Sequence, residues 1–338
     1  MVPREFYLMF LTALALGVGA TFMLRKVALR EGIVDRPGGH KGHAAPIPLL
    51  GGVAIYLAFL ASVILWGDRY YVGQLVSILV GASLMSFLGL WDDRRALSPL
   101  FKFAGQVFVT AVLILSGVQV QLFGNPALNV LVTAVWVLYV TNAFNLLDNM
   151  DGLASGVAAV ASGFFLLCAI LNGQYLVGSL SAAMLGACLG FLFFNFNPAR
   201  IFMGDAGSLF IGFVMAAMGI KVRFPSNVDW VTWMVPVLIL GVSIFDTAFV
   251  SVSRLSRGVP IWRGGLDHVS HRLLARGWSI RKVVTVLYAV GVILGAAGTV
   301  VSLLDPVPAY VLGAGALGAA TVCGMLIVRQ PPRIVPPI

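Results

Sequence analysis

The chain has 338 residues, of which 59% are hydrophobic and only 10% charged, and its formal net charge is +9. Soluble domains carry about one quarter charged residues, so the composition excludes a water-soluble globular protein. The three cysteines lie in apolar segments without CxxC spacing, which argues against a disulfide framework or a thiolate metal site. No sequence pattern of a nucleic-acid-binding module is present, so nucleic acid is not expected as a partner.

Apolar segments occupy most of the chain. A membrane-spanning helix needs about 20 predominantly apolar residues, because hydrocarbon offers no partners for backbone polar groups. Eleven windows qualify, in chain order 6–24, 50–66, 72–91, 103–122, 127–147, 153–171, 176–196, 207–222, 231–252, 283–303 and 308–328. The first is long and lacks a small-residue cleavage pattern, so we expect a retained helix. The sequence therefore predicts an all-α, polytopic integral membrane protein.

The basic residues are divided unequally between the two sets of loops. Of the 22 Lys and Arg residues, 18 fall on one side, and only Arg4, Arg69, Lys221 and Arg223 fall on the other. Basic loops remain in the cytoplasm, so the N-terminus is expected outside and the C-terminus inside. We expect one transmembrane catalytic domain over 1–330 and a disordered, proline-rich cytoplasmic tail over 331–338.

Paired acids stand at the inner end of the third window, where Arg94 and Arg95 follow Asp92 and Asp93. Adjacent carboxylates at a membrane interface repel each other unless a cation or a proton relieves them. One interpretation is a cation-assisted site. The simpler one is that Asp93 caps a turn and the two arginines pair with the acids.

Polar residues also recur at the end of the fifth window, at Asn142, Asn145, Asp148 and Asp151. Steps of three along a helix keep neighbours on one surface. Such residues are costly in a membrane unless they face water or a ligand. The spacing therefore favours a wet site over a simple turn.

A third acidic position, Asp205, lies between two windows and is flanked by Gly204 and Gly207. The glycines would let a diphosphate approach closely, and a carboxylate is a hard ligand that suits Mg²⁺. The alternative is that Asp205 caps the following helix.

Two histidines, His268 and His271, lie with Arg263 and Arg272 in the longest basic inner loop. The loop lacks an HExxH pattern, so we favour contacts to diphosphate oxygens over a zinc site. A further glycine-rich, basic stretch contains His43 and could wrap an anion or be an ordinary juxtamembrane loop.

One acid, Asp246, lies inside an apolar window, and we interpret it as a buried helix-packing acid or a partner of a site residue. An ion-coupled membrane carrier is the alternative class of protein. It would place such charges near the middle of the bilayer, within reach of both sides.

In these five inner stretches, in order from about residue 35 to 277, the sequence resembles the polyprenyl-phosphate N-acetylhexosamine-1-phosphate transferase superfamily. The resemblance implies an all-helical membrane fold, Mg²⁺ with Mn²⁺ as an alternative, a UDP-amino sugar donor, a polyprenyl phosphate acceptor and UMP as by-product. The segment from His268 to Arg272, together with Asp35-Arg36-Pro37, is more similar to bacterial undecaprenyl-phosphate GlcNAc-1-phosphate transferases. The branch that transfers phospho-MurNAc-pentapeptide has three consecutive histidines instead. One departure is Gly264-Gly265-Leu266, which precedes Asp267 where a proline- or acid-marked approach is expected.

The resemblance also implies roles for individual residues, with Asp92 deprotonating or orienting the acceptor phosphate and Asp205 binding Mg²⁺. The expected catalytic residues are Asp92, Asp93, Asp148, Asp151, His268, His271 and Arg272. The expected substrate-binding residues are Lys102, Asn142, Asn145, Asn195, His43 and Arg263, and the metal ligands are Asp205 and Asp93. The active site is expected on the cytoplasmic face, and a homodimer is left open.

Overall fold

The chain folds as a bundle of helices, described by a computed structural model for residues 2–35, 46–67, 72–224, 228–260 and 265–328. In chain order the helices are α1 (Arg4–Arg30), α2 (Gly51–Trp66), α3 (Val72–Arg95), α4 (Pro99–Leu115), α5 (Pro126–Leu147), α6 (Leu153–Leu171), α7 (Tyr175–Asn195), α8 (Gly204–Lys221), α9 (Asp229–Ile239), α10 (Gly241–Leu255), α11 (Val269–Leu274), α12 (Ile280–Leu303) and α13 (Pro306–Val328). Two short strands between α1 and α2, β1 (Val34–Asp35) and β2 (Ile47–Pro48), pair antiparallel.

The expected membrane architecture is confirmed in its general form. Within the described ranges, eight helices are long and apolar enough to cross a membrane, and α9 with α10 makes a ninth if the pair is one span. The helices α2 and α4 are shorter, with 16 and 17 residues. Each of the eleven windows therefore contains helix, and the number of eleven crossings stays a prediction.

Two of the predicted windows differ from the helices in the structure, one in continuity and one in its bounds. The window 231–252 is two helices, α9 and α10, bent by 80° at their junction. Pro236 cannot donate a backbone hydrogen bond, and glycine, which favours helix poorly, begins α10 at Gly241. The window 103–122 begins earlier and ends earlier, because the Ser98 side chain caps α4 and Gly117 adopts a positive φ of 82°.

The helix α8 forms the centre of the bundle. Of its apolar window 83% is buried inside the protein, compared with 6% for α13. The helices α2, α3 and α5 pack around it. The first turn of α8, which contains Asp205, is therefore held by the ends of three neighbouring helices.

A network of backbone hydrogen bonds fixes the segment that leads into α8. Phe202 N donates to Pro48 O at 2.8 Å, and Gly51 N donates back to Phe202 O at 3.0 Å. Gly52 N donates to Met203 O at 2.8 Å. The strand β2 and the start of α2 thereby fix where α8 begins.

Candidate active site

The end of α3 and the start of α8 are joined by the Asp93 carboxylate. It accepts hydrogen bonds from Asp205 N at 2.8 Å and from Ala206 N at 3.0 Å. The helix N-terminus presents unpaired N–H groups and a partial positive charge, which suit a carboxylate. The alternative interpretation, that Asp205 caps this helix, is wrong, because the cap position is Met203 and Asp93 supplies the capping carboxylate from α3.

Two glycines allow these helices to approach closely. A Cβ added at Gly89 of α3 would lie 2.2 Å from Asp205 O. A Cβ added at Gly52 of α2 would lie 2.1 Å from Gly207 N. Both contacts are with backbone atoms, so any larger residue would displace the first turn of α8 and Asp205 with it.

A lysine from α4 lies between two of the predicted acids. Lys102 Nζ is 3.0 Å from Asp92 Oδ2 and also forms an ion pair with Asp205 Oδ2. It lies 3.4 Å from Asn145 Oδ1. The second Asp92 oxygen accepts from Leu97 N at 2.6 Å. Three helix ends thus present carboxylate and amide oxygens to one cation.

The two predicted asparagines of α5 differ in their surroundings. Asn145 Nδ2 donates to Asp205 Oδ1 at 2.7 Å and to Ser208 Oγ at 2.9 Å, so Asn145 belongs to the acidic site. Asn142 Nδ2 donates to Gln106 Oε1 at 2.6 Å, and Gln106 Nε2 donates back to Asn142 Oδ1 at 3.3 Å. This pair joins α4 to α5 one turn away from Asn145.

The acids Asp148 and Asp151 follow α5 and have contrasting environments. Asp151 Oδ2 accepts from Asn197 Nδ2 and from Ala199 N, both at 2.9 Å. In the described part of the chain, no group donates a hydrogen bond to the Asp148 carboxylate. Burial, together with the charges of Asp205, Asp93 and Asp151, raises the pKa of Asp148 to about 8. This carboxylate is therefore the one that most lacks a cation or a proton donor.

The buried Asn195, predicted to bind substrate, has both ends of its amide engaged by protein. Its Oδ1 accepts from Gly152 N at 2.9 Å and its Nδ2 donates to Ile201 O at 3.0 Å. Gly152 has a positive φ of 76°, and its carbonyl accepts from the Tyr288 hydroxyl. In this structure Asn195 braces the loop after α5 against the loop before α8.

The histidine segment packs beside the loop that follows α5. Ser270 Oγ donates to Asn149 Oδ1 at 2.7 Å, which joins α11 to the residue after Asp148. The rings of His268 and His271 lie with centroids 6.1 Å apart. Burial and the charge of His268 lower the pKa of His271, so His271 is neutral near pH 7.

The guanidinium of Arg272 is engaged by protein rather than open to a ligand. It donates from Nη2 to Ser253 Oγ at 3.0 Å and from Nε to Asp267 O at 3.1 Å. It also lies over the Phe249 ring, 4.9 Å from the centroid. These contacts fasten the histidine segment to α10 and give Arg272 a bracing position in this structure.

A second clamp on the same segment is formed by Asp267. Arg254 Nε and Arg257 Nη2 each lie 2.9 Å from Asp267 Oδ2. Burial alone would raise the pKa of Asp267, but the hydrogen bonds from these two arginines lower it below its ordinary value.

Some predicted residues lie elsewhere, and some neighbours were not predicted. His43 and Arg263 lie outside the described residues. Gln106 and Ser208 were not predicted from the sequence. Their polar side chains lie in otherwise apolar helices, and that contrast could have marked them as candidates. Asp246, interpreted as a helix-packing acid or a partner of a site residue, contacts the His268 ring.

The donor set suits a hard divalent cation. Within the described ranges, no three His, Cys, Asp or Glu side chains form a complete ligand set on their own. Mg²⁺ needs only one or two carboxylates, completed by water and substrate phosphates. Asp205 already contacts a cation, the ammonium of Lys102, and Asp148 lacks a partner nearby. The residues present therefore fit Mg²⁺.

The fold and this site define the class of protein: a multi-pass helical membrane protein with an acidic, oxygen-rich site at one end of its bundle. The family model described as glycosyl transferase family 4 matches residues 75–223, a range that includes the acids of α3, α5 and α8 but not the histidine segment. Sequence similarity extends over much more of the chain. The chain belongs to glycosyl transferase family 4.

Three relatives illustrate the similarity. A probable undecaprenyl-phosphate N-acetylglucosaminyl 1-phosphate transferase of Bacillus subtilis (strain 168) is 36% identical over 282 residues, 81% of this chain and 78% of the relative. A decaprenyl-phosphate N-acetylglucosaminephosphotransferase of Mycobacterium tuberculosis (strain ATCC 25618 / H37Rv) is 31% identical over 96% of this chain and 90% of its own length. A phospho-N-acetylmuramoyl-pentapeptide-transferase of Bacillus cytotoxicus is 30% identical over 86% of this chain and 94% of its own length.

Proposed function

We propose that the protein transfers GlcNAc-1-phosphate from UDP-GlcNAc to undecaprenyl phosphate, giving undecaprenyl-diphosphate-GlcNAc and UMP. The observation that carries this proposal is the convergence of Asp92, Asp205, Lys102 and Asn145 at one end of the bundle. The names of the relatives from Bacillus subtilis and Mycobacterium tuberculosis support the sugar and the class of lipid.

The reaction forms one bond and breaks one. An oxygen of the acceptor phosphate attacks the β-phosphorus of the donor, and the bond from that phosphorus to the oxygen it shares with the α-phosphate breaks, so that UMP leaves. Asp92 fixes the ammonium of Lys102, which is suited to hold the acceptor phosphate beside the donor. Both Asp92 oxygens are engaged by protein, which favours an orienting role over nucleophilic attack. Positioning and charge neutralisation then supply most of the rate.

We assign Mg²⁺ to Asp205. Asp148, whose carboxylate is close enough to interact with the charge of Asp205, is assigned as the second carboxylate of the metal site. When bound, Mg²⁺ would neutralise the diphosphate and stabilise the leaving UMP. Asn145 holds Asp205 by a hydrogen bond, and Asp93 holds the backbone of Asp205. These contacts keep Asp205 in place while substrates enter and products leave.

The site is proposed to face the cytoplasm. Arg94 and Arg95 end α3, the helix that carries Asp92 and Asp93, and Arg254 and Arg257 lie at the end of α10 beside the histidine segment. Basic residues flank helices on the cytoplasmic side. A carrier, the alternative from another class, is disfavoured because the acids gather at one end of the helices. The phospho-MurNAc-pentapeptide donor is the second candidate, because one relative at 30% identity is a phospho-N-acetylmuramoyl-pentapeptide-transferase.

The test is an assay of the purified protein in detergent with undecaprenyl phosphate, Mg²⁺ and either UDP-GlcNAc or UDP-MurNAc-pentapeptide. UMP release and the lipid product are followed by mass spectrometry. Activity with UDP-GlcNAc, lost in Asp205→Asn and kept in the control Asp305→Asn, supports the proposal; Asp305 follows α12 at the end remote from the site. Activity with the pentapeptide donor alone would overturn the sugar assignment, and no UMP from either donor would overturn the reaction.

A further inference from the structure

A buried acid on α10 makes two hydrogen bonds to the start of the histidine segment. Asp246 Oδ2 lies 2.6 Å from His268 Nδ1, and Asp246 Oδ1 accepts from Val269 N at 2.8 Å. Asp246 and His268 are each only 4% exposed. One carboxylate thus holds both the imidazole and the backbone that carries it.

This contact determines where the imidazole proton lies. An ionised carboxylate only accepts hydrogen bonds, so with Asp246 ionised the contact assigns a proton to Nδ1 of His268. In the described part of the chain, no group hydrogen-bonds the other ring nitrogen, Nε2. Nε2 is therefore left as the atom that can accept a hydrogen bond when the ring is neutral and donate one when it is protonated.

The histidine segment is fastened to the loop that carries Asp148. Ser270 is hydrogen-bonded to Asn149, the residue after Asp148. The carboxylate of Asp246 also stabilises positive charge on the ring. When the ring is protonated, Nε2–H can donate to a diphosphate oxygen while Nδ1–H stays bonded to Asp246, whereas the neutral Nδ1–H ring can only accept at Nε2.

Other charged and titratable groups surround the pair. The Tyr139 hydroxyl on α5 donates a hydrogen bond to Ile244 O at 2.9 Å, and Tyr139 also interacts electrostatically with Asp246. On the loop and on α11 the neighbours are Asp267, His271 and Arg272, and the Asp267 carboxylate is paired with arginines. Asp246 is accordingly the carboxylate that contacts the His268 ring.

We propose that Asp246 is a positioning residue that holds Nδ1–H of His268 and thereby presents Nε2–H of the protonated ring, as a hydrogen-bond donor, to the diphosphate of the nucleotide-sugar donor. The ligand in this inference rests on the proposed function, whereas the placement of the proton does not. The comparable carboxylate–histidine pairs in enzymes fix tautomer and ring orientation.

The experiment compares wild type with Asp246→Asn, His268→Gln and the double variant. Asp246→Asn keeps the shape and an oxygen for Val269 N but removes the charge and the acceptor for Nδ1–H. Two control variants leave the imidazole untouched: Ser243→Ala in the same helix, and Asp267→Asn, which loosens the loop from its other side. We expect Asp246→Asn to lower kcat about 10–100-fold, because the ring loses the carboxylate that orients it.

Two results decide the proposal. In the His268→Gln background, Asp246→Asn should cause no further loss of kcat, since its effect acts through the ring. Equal losses in both backgrounds would overturn the proposal and make Asp246 a packing residue. The ¹⁵N NMR spectrum of histidine-labelled protein, which contains only four histidines, should show His268 with the proton on Nδ1, and a proton on Nε2 at neutral ring charge would overturn it as well. Wild type with the Nδ1–H tautomer but no transferase activity would refute the proposed function and leave the Asp246–His268 pair standing.

Discussion

The Asp93 carboxylate is bonded to the backbone N–H of Asp205 at 2.8 Å, so one acid of the site holds another in position. The same carboxylate accepts from Ala206 N at 3.0 Å and completes the cap of α8. Two carboxylates would ordinarily separate because their charges repel each other. The N-terminus of α8 offsets that repulsion locally, because its N–H groups present partial positive charge to Asp93.

Asp93→Ala should therefore affect both stability and activity. Loss of a helix cap costs about 0.5–2 kcal/mol, so thermal unfolding in detergent should begin at a lower temperature than in wild type. Activity should fall because Asp205 is no longer fixed. A variant with unchanged stability and a greatly raised Mg²⁺ requirement would instead support the role predicted from the sequence, that of a metal ligand.

Asp148→Asn and Asp151→Asn should have opposite effects on stability. Asp148 has three acidic neighbours and accepts no hydrogen bond from the described residues, so its neutralisation relieves repulsion and should raise the melting temperature of the metal-free protein. Asp151 accepts two hydrogen bonds, and an amide in its place would weaken them. We expect Asp148→Asn to lower kcat at least about 100-fold, as removal of an electrostatic group at a reacting centre does. Differential scanning fluorimetry with EDTA, beside the UMP assay, tests both; a lower melting temperature in Asp148→Asn would contradict the repulsion argument.

The raised pKa of Asp148 gives a prediction about pH and metal. Its folded pKa of about 8 lies above the ordinary aspartate value of 3.8, so between these pH values the folded state retains a proton that the unfolded state has lost. The metal-free protein should therefore lose stability as pH rises through this window, and Mg²⁺ should bind more tightly as pH rises toward 8, because binding releases the proton. Mn²⁺ affinity measured by EPR between pH 6 and 8 should show this rise, and Asp148→Asn should flatten it. An equal rise in both proteins would assign the proton to another group.

Several residues that lie together at this end of the bundle were candidates from the sequence alone. The paired acids, the polar series on α5 and Asp205 could be recognised because charged and amide groups are costly in apolar helices and so mark positions of function. The helices themselves could be predicted from hydrophobic length. What could not be predicted is which acid caps a helix, because Asp93 and Asp205 are 112 residues apart in the chain and meet only after α3 and α8 pack.

The same limit applies to Asp246, Arg272 and Asn195. A sequence shows that Arg272 is near two histidines, but not that Ser253 and Asp267 already occupy its guanidinium. The 80° bend between α9 and α10 also could not be predicted from the sequence. Residues 231–252 have the composition of one continuous apolar helix. Whether a helix containing Pro236 stays continuous or breaks depends on how it packs against its neighbours.

Gly52→Ala should disrupt the site without touching any polar group. The added methyl would overlap Gly207 N, a backbone atom that cannot rotate away. Overpacking costs typically about 1–3 kcal/mol, and here the displaced element is the first turn of α8, so activity should fall together with the melting temperature. Gly19→Ala is the matched control, because a Cβ at Gly19 meets nothing within 4 Å. Wild-type activity in Gly52→Ala would show that α2 and α8 separate without moving Asp205.

Lys102 provides the last prediction, because its ammonium occupies the position between acids that a metal ion would also favour. In Lys102→Met, Asp92 and Asp205 lose their shared counter-charge, so the protein in EDTA should melt at a lower temperature, and Mg²⁺ should restore most of that loss. Mn²⁺ should bind Lys102→Met more tightly than wild type, since the ammonium no longer competes for Asp205, whereas turnover should fall because the acceptor phosphate loses its cationic partner. Lys102→Arg keeps the charge and should retain the melting temperature in EDTA. If Lys102→Met melts equally low with Mg²⁺ and with EDTA, Lys102 serves packing alone and the metal does not share its carboxylates.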